Sequence, residues 1–208
     1  AERKEPTMKP TNLIWVLALA GAAAACNSGP PVTNVTPPGG GGAGGAGTVD
    51  ACITDENMAV YDELVYVDCA GVTYTGDDAS SAIGSDCIQG TANPVTCPAG
   101  SEPSLEGCGA LAGEVLGCFP TCPQETIDAA AACVADCVQT ATEEAAPPGL
   151  SDDCVACTGE TVACGAAFCT TVCIADSNAP ECIECRCEND CIQSFDTCSG
   201  LPSDGDCS

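Results

Sequence analysis

Two short cysteine motifs carry the clearest potential for chemistry in this chain. Cys154-Val-Ala-Cys157 and Cys182-Ile-Glu-Cys185 each place two sulfurs three positions apart. Two such motifs about 25 residues apart are typical of a zinc site in a reducing compartment, and one alone is typical of a disulfide-exchange site. Structural disulfides are the alternative that we favour, because both motifs are embedded among further cysteines in a chain that has 21 of them.

Other catalytic chemistry finds little support in the sequence. The 208 residues include no histidine, which excludes every mechanism that needs an imidazole base. Adjacent carboxylates such as Asp152/Asp153 and Glu143/Glu144 are expected by chance among 30 acidic residues and are typical of a solvated surface. We therefore expect a protein without enzymatic activity, without a cofactor and without a metal site.

The acidity of the chain limits its partners. Its 30 acidic and 4 basic residues give a formal net charge of −26. Three of the basic residues lie in the first nine positions, and Arg186 is the only one after them. Because phosphates are bound by basic side chains, this composition excludes a nucleic-acid partner. A cationic or calcium-bridged surface partner fits the charge, and an acidic surface that only keeps the protein soluble is the alternative.

Residues 8–26 have the order of an export signal. Lys9 precedes an apolar run at residues 13–19, and small residues connect this run to Cys26. The run is shorter than the about 20 apolar residues that a membrane-spanning helix needs. Its size and its position after a basic residue are typical of a secretory signal peptide.

The small residues in front of Cys26 resemble the end of a bacterial lipoprotein signal, in which the first residue after cleavage is a lipid-modified cysteine. Ala23 departs from the common pattern, in which leucine is more frequent at that place. The resemblance implies a signal peptide over residues 1–25, a translation start at Met8 and lipidation of Cys26. Secretion without an anchor is the alternative. Setting Cys26 aside leaves an even number of cysteines that can pair completely, which favours lipidation.

A flexible tether follows the signal. Residues 26–47 consist of the anchor cysteine and a Pro- and Gly-rich stretch without hydrophobic periodicity. A tether beside a lipid anchor lets a domain stand off a membrane, so we expect a protein of the cell envelope. By analogy with enteric sorting rules, Asn27 favours the outer membrane, at its periplasmic face or at the cell surface.

The remaining segment, residues 48–208, is too poor in apolar residues to fold on a hydrophobic core alone. Only 28 of its 161 residues are Leu, Ile, Val or Phe, and its charge is strongly negative, a combination that normally predicts disorder. Twenty of its residues are cysteines, which exceeds the roughly 8–10% that marks a disulfide scaffold. Ten disulfides, each contributing about 2–4 kcal/mol, can replace the missing core, and they require an oxidising compartment.

The sequence of this segment predicts a mainly α fold, a set of disulfide-stapled helical hairpins or a bundle. A first helix is expected to begin at Thr54 or Asp55. Alternating Val and Tyr followed by loop-like stretches around Cys87 and Cys97 predict a small irregular or β-hairpin insertion over residues 65–103. The segment 104–208 holds the hairpins, with helices expected over residues 105–119, 126–144, 151–164, 166–175 and 180–198.

Cysteine spacing predicts which helices are stapled together. In an antiparallel helical hairpin, residues equally far from the turn lie level, so level pairs share one midpoint in the chain. In the first half, Cys118–Cys137 and Cys122–Cys133 share a midpoint. In the second half, four pairs share, to within a residue, a midpoint in the turn-like segment 176–180: Cys157–Cys198, Cys164–Cys191, Cys169–Cys187 and Cys173–Cys182.

Helical phase agrees with only part of the second set. At 100° per residue, Cys169 and Cys173 are rotated by about 120–160° from Cys157 and Cys164, so one straight hairpin cannot hold all four pairs. We therefore expect a break in the helix near Gly165. Spacing predicts no pairing for the other cysteines of the domain: Cys52, Cys69, Cys87, Cys97, Cys108, Cys154, Cys185 and Cys207.

The twin CxxxC motifs resemble those of α-hairpinin peptides and of twin-CxxxC intermembrane proteins. Residues 150–201 are also similar to predicted lipoproteins of myxobacteria, with Leu-Ser before a CxxC, a C-x6-C and a closing F-x2-C-S-G. This resemblance implies a helical scaffold and a location, because that family has no established activity. We expect a non-enzymatic, membrane-tethered structural or interaction module. A thiol-dependent metal-binding or disulfide-exchange protein is the alternative.

Overall fold

Helices joined by disulfides make up most of the structure. The computed structural model describes residues 49–89, 105, 107–119, 121–174, 177, 179–202 and 207, so the predicted signal peptide and tether lie outside it. Within these ranges the predicted fold class, mainly α with a small β-hairpin, is confirmed. In chain order the elements are α1 (Asp55–Glu63), β1 (Val65–Val67), β2 (Thr73–Thr75), α2 (Gly76–Gln89), α3 (Gly109–Cys118), α4 (Gln124–Ala145), α5 (Asp152–Cys173), α6 (Pro180–Glu188) and α7 (Cys191–Ser199).

The first helix begins where the sequence predicts. The Thr54 side chain caps α1 by accepting a hydrogen bond from the backbone N–H of Asn57 at 3.2 Å. The fully buried Asn57 side chain then joins α1 to the start of α5. Its Nδ2 donates to the Ser151 hydroxyl at 2.9 Å, and its Oδ1 accepts from the Ser151 backbone N–H at 2.8 Å. One buried amide thereby fixes two distant segments of the chain to each other.

The expected hairpin is present, but it is followed by a helix that the sequence analysis missed. β1 and β2 pair antiparallel, with Tyr66 opposite Tyr74. The 14 residues of α2 then fill part of the segment that was predicted to be irregular or β. Their Gly, Ser and Asp content disfavours a helix, but Ala79, Ile83 and Cys87 recur at every fourth position and are fully buried. Burial of this face in the core therefore overrides local propensity.

The hairpin of α4 and α5 is the centre of the fold. These two 22-residue helices make the most extensive contact of any pair of elements in the described chain. α4 contributes a stripe of buried residues at helical spacing, which includes Ile127, Val134 and Val138. The backbones approach closely at Gly159, where an added Cβ would collide with the carbonyl oxygen of Ala131. Glycine is required at this position because no side chain fits between the helices.

The predicted break near Gly165 is wrong, and the break lies in the opposite arm of the hairpin. α5 is one continuous helix through Gly165. The helix predicted over residues 180–198 is instead two helices, α6 and α7, which are separated at Asn189 and Asp190. Asp190 has a left-handed backbone with φ of 58°, a conformation that aspartate tolerates better than most residues. Because the chain changes direction between α6 and α7, the cysteines of α5 can lie on different faces of one straight helix and still reach their partners.

α5 also has the length and apolar composition of a membrane-spanning helix. Among the described helices it is the one that meets this criterion, and 44% of its most apolar window is buried within the fold. Core helices of compact domains meet the same criterion. Here α5 is packed against α4 and covalently bonded to α6 and α7.

We predict that Gly159→Ala destabilises the protein. The new Cβ would collide with the backbone of α4, and overpacking of this kind costs about 1–3 kcal/mol. The matched control is Gly113→Ala on the exposed side of α3, where an added Cβ meets nothing within 4 Å. That substitution should stabilise the helix by about 0.5–1 kcal/mol. Guanidinium unfolding without reductant measures both effects, and equal changes in the two variants would contradict the close approach.

Candidate binding groove

The four cysteines of the two CxxC motifs are all joined to other elements. Neither motif closes on itself, as a disulfide-exchange motif does, and none of the four sulfurs is a thiol. The four bonds are Cys52–Cys154, Cys157–Cys198, Cys173–Cys182 and Cys169–Cys185. The first motif therefore joins α5 to the segment before α1 and to α7, and the second joins α6 to α5 through two bonds.

Disulfides account for the cysteines throughout the described ranges. All 19 cysteines in those ranges are bonded, Cys69 among them. Cys26 and Cys97 lie outside these residues, so the lipidation predicted for Cys26 stays a prediction. The described side chains include no group of three or more Cys, Asp or Glu placed to hold a metal ion.

The second half of the chain contains three of the four disulfides that spacing predicts, namely Cys157–Cys198, Cys164–Cys191 and Cys173–Cys182. The predicted pair Cys169–Cys187 is wrong, because Cys169 is bonded to Cys185 and Cys187 to Cys207. The midpoint rule does not separate Cys185 from Cys187. Helical phase does, because Cys185 lies three residues after Cys182 and shares its face of α6, whereas Cys187 points elsewhere.

In the first half, both predicted pairs are wrong. Cys118 is bonded to Cys122 across the turn between α3 and α4, and the two cysteines of α4 reach other elements. These bonds are Cys108–Cys133 and Cys87–Cys137. The predicted pairs placed the turn near Ile127, which lies inside α4. The midpoint of Cys108 and Cys133 lies between positions 120 and 121. The midpoint rule therefore holds for this pair, with the turn at a different place in the chain. The prolines at 120 and 123 were the available signal for that turn.

A groove along α5 is a candidate site for a ligand. It has a volume of about 510 Å³, which is within the range of small-molecule sites. Its floor is a row of α5 residues at intervals of four, including Thr158, Val162, Ala166 and Thr170. This row is about 18 Å long at 1.5 Å per residue. Residues of α2 and α3 and residues of α6, α7 and the segment 201–202 complete its lining. We call this feature the α5 groove.

Arg186 is the basic residue of the α5 groove. It projects from α6 and is half-buried, and its Nη2 donates a hydrogen bond to the Thr161 hydroxyl at 3.2 Å. Thr161 in turn donates to the carbonyl oxygen of Cys191 at 3.0 Å. Burial lowers the pKa of Arg186, and the negative charge of Asp196 opposes that shift. The guanidinium is thus a positioned positive charge in a partly desolvated place.

Hydroxyl and apolar groups surround this charge. Thr158 is 3% exposed, and its hydroxyl oxygen is buried without a hydrogen-bond partner among the described residues. Leu116 and Ile174 line the groove while remaining 48% and 47% exposed, so the apolar lining continues to the surface. Sequence reasoning noted Arg186 only as an isolated charge. Its position in a groove depends on the packing of five helices, which the sequence alone does not show.

Comparison of the chain with models of protein families, with curated proteins and with solved structures finds no match.

We predict that Arg186→Met folds normally and changes the free energy of unfolding by less than about 1 kcal/mol. Methionine keeps an unbranched apolar stem in the groove, and replacing a buried charge by a hydrophobic residue is often neutral. Arg186→Glu is the matched control, because it places a carboxylate near Asp196 and should destabilise the fold more. Thermal unfolding without reductant measures both. A loss of fold in Arg186→Met would show that the arginine is needed for structure.

Proposed function

We propose that this chain is a non-enzymatic interaction module of the cell envelope, exported and tethered to the outer membrane through Cys26. The observation that supports it best is that every described cysteine is in a disulfide. Such a protein is consistent with an oxidising compartment outside the cytosol. The export-type segment in front of the domain fits the same location.

The arrangement of anchor, tether and domain suits an interaction role. By composition, residues 27–47 are rich in Gly and Pro, and a random coil of that many residues has an end-to-end distance of about 25 Å, from 5–6 Å times the square root of the residue number. A tether of this length keeps the domain near the membrane while allowing it to reorient. The covalently linked helices supply a rigid body at its end. A rigid body on a flexible tether is suited to binding and gives no indication of catalysis.

The thiol-dependent alternative is tested by alkylation. We predict that the purified protein, unfolded in guanidinium without reductant and treated with a maleimide, shows no labelling at Cys154, Cys157, Cys182 or Cys185. The reason is that each of these sulfurs is bonded to a cysteine of another element. Peptide mass spectrometry reads the sites, and a fully reduced sample gives the complete count. Stoichiometric labelling of these cysteines would support the metal-binding or exchange function instead.

The anchor is tested separately. We predict that Cys26→Ala prevents lipidation, so that the protein no longer enters the detergent phase in a Triton X-114 partition. Ser28→Ala is the matched control, because it changes a neighbouring small residue and leaves the cysteine in place. Fractionation of the native protein should place it with the outer membrane. Continued partition of a processed Cys26→Ala protein into detergent would refute the lipid anchor.

A further inference from the structure

We propose that the α5 groove binds a small amphipathic monocarboxylic acid, with the carboxylate on Arg186 and the apolar body along α5. This inference goes beyond the envelope role and does not depend on the lipid anchor. A protein that fails to partition into detergent could still bind the acid, and the two proposals therefore fail separately.

Charge complementarity identifies the head group. Arg186 is the only basic side chain after Lys9 in a chain of net charge −26, and it lies within a groove and not on the open acidic surface. A guanidinium offers five N–H donors in a planar fork that matches a carboxylate. The bond to Thr161 uses one donor and holds the group in place. A partly desolvated site strengthens a charge-assisted hydrogen bond relative to one at the surface.

The rest of the groove selects the body of the ligand. Its floor is a narrow row about 18 Å long, and its apolar lining includes Val162, Ile192 and Phe195. Leu116 and Ile174 extend this lining to the solvent. A linear apolar chain fits a row of this length, whereas a wholly polar anion would leave the apolar lining uncovered.

The acidic residues of the groove limit the ligand to one negative charge. Asp77 and Asp78 line it from α2, and Asp196 acts on Arg186 from α7. Arg186 is the only positive charge among these carboxylates, so a ligand can place one carboxylate on its free N–H donors, but a second negative group would face the aspartates without a partner. Phosphate esters and dicarboxylates are therefore disfavoured, and a fatty-acid-like monocarboxylate is the class that fits.

Binding can be tested with three probes that share one chain length. Dodecanoate, 1-dodecanol and dodecylamine compete with a fluorescent dansyl-undecanoic acid for the full-length protein with its disulfides intact. We predict that the native protein binds dodecanoate about tenfold or more tightly than dodecanol, which is the effect of a charge-assisted hydrogen bond. Dodecylamine should bind most weakly of the three, because its positive charge would meet Arg186.

Two variants separate the head group from the body. Arg186→Met should bring the affinities for dodecanoate and dodecanol to within about threefold of each other while dodecanol binding persists. Ala166→Phe, on the groove floor, should abolish binding of both. Val172→Phe on the same helix, at a residue outside the groove lining, should leave binding unchanged. Circular dichroism of each variant verifies the fold.

Several results would overturn the proposal. Equal affinity of the native protein for dodecanoate and dodecanol would remove the role of Arg186. Unchanged acid binding in Ala166→Phe would place the ligand elsewhere on the protein. Failure of the native protein to bind any of the probes, or tighter binding of dodecylamine, would also exclude this ligand class.

Discussion

The structure depends on the covalent attachment of α5 to the elements around it. All five cysteines of this helix are in disulfides, and their partners are Cys52, Cys198, Cys191, Cys185 and Cys182. These bonds fix the segment before α1, α6 and α7 to one central helix. At the start of α5, Cys154 lies 3.3 Å from the hydroxyl of Tyr61, whose pKa burial raises to about 12. These bonds oppose the electrostatic repulsion between the many acidic side chains of the surface. That repulsion extends to the hairpin of α4 and α5. There, partial burial and the charge of Asp128 raise the pKa of Glu160.

Sequence patterns predicted the mainly helical fold and part of the disulfide network, and each error has a physical origin. The midpoint rule succeeded for bonds such as Cys164–Cys191, because α5 and its partner arm run antiparallel around one short turn. It failed at Cys169, where two candidates were almost level and only the phase of α6 decides between them. It failed for Cys118 because two equally spaced CxxxC pairs do not by themselves locate a turn, and the turn lies between α3 and α4. α2 was missed because its sequence favours a loop and only its burial between other helices makes it helical.

The α5 groove could not be predicted from the sequence at all. Its floor belongs to one helix, but the lining brings together residues from Asp77 to Pro202. Which residues meet depends on how disulfides orient α6 and α7, and the left-handed Asp190 between these helices is invisible to periodicity. The presence of one basic residue in an acidic chain was readable from the sequence. The hydrogen bond from its guanidinium to Thr161 within the groove could not be predicted, because this contact exists only in the folded chain.

The long sequence separation of the Cys52–Cys154 bond has a consequence for biogenesis. The two cysteines are 102 residues apart, and Cys69 and Cys87 lie between them in the chain. If the chain enters an oxidising compartment with its N-terminus first, Cys52 meets these nearer cysteines long before its native partner arrives. Oxidation in order of appearance would then trap non-native pairs. Under that order of oxidation, the native bond forms only through thiol–disulfide exchange, or if Cys52 stays reduced until Cys154 arrives.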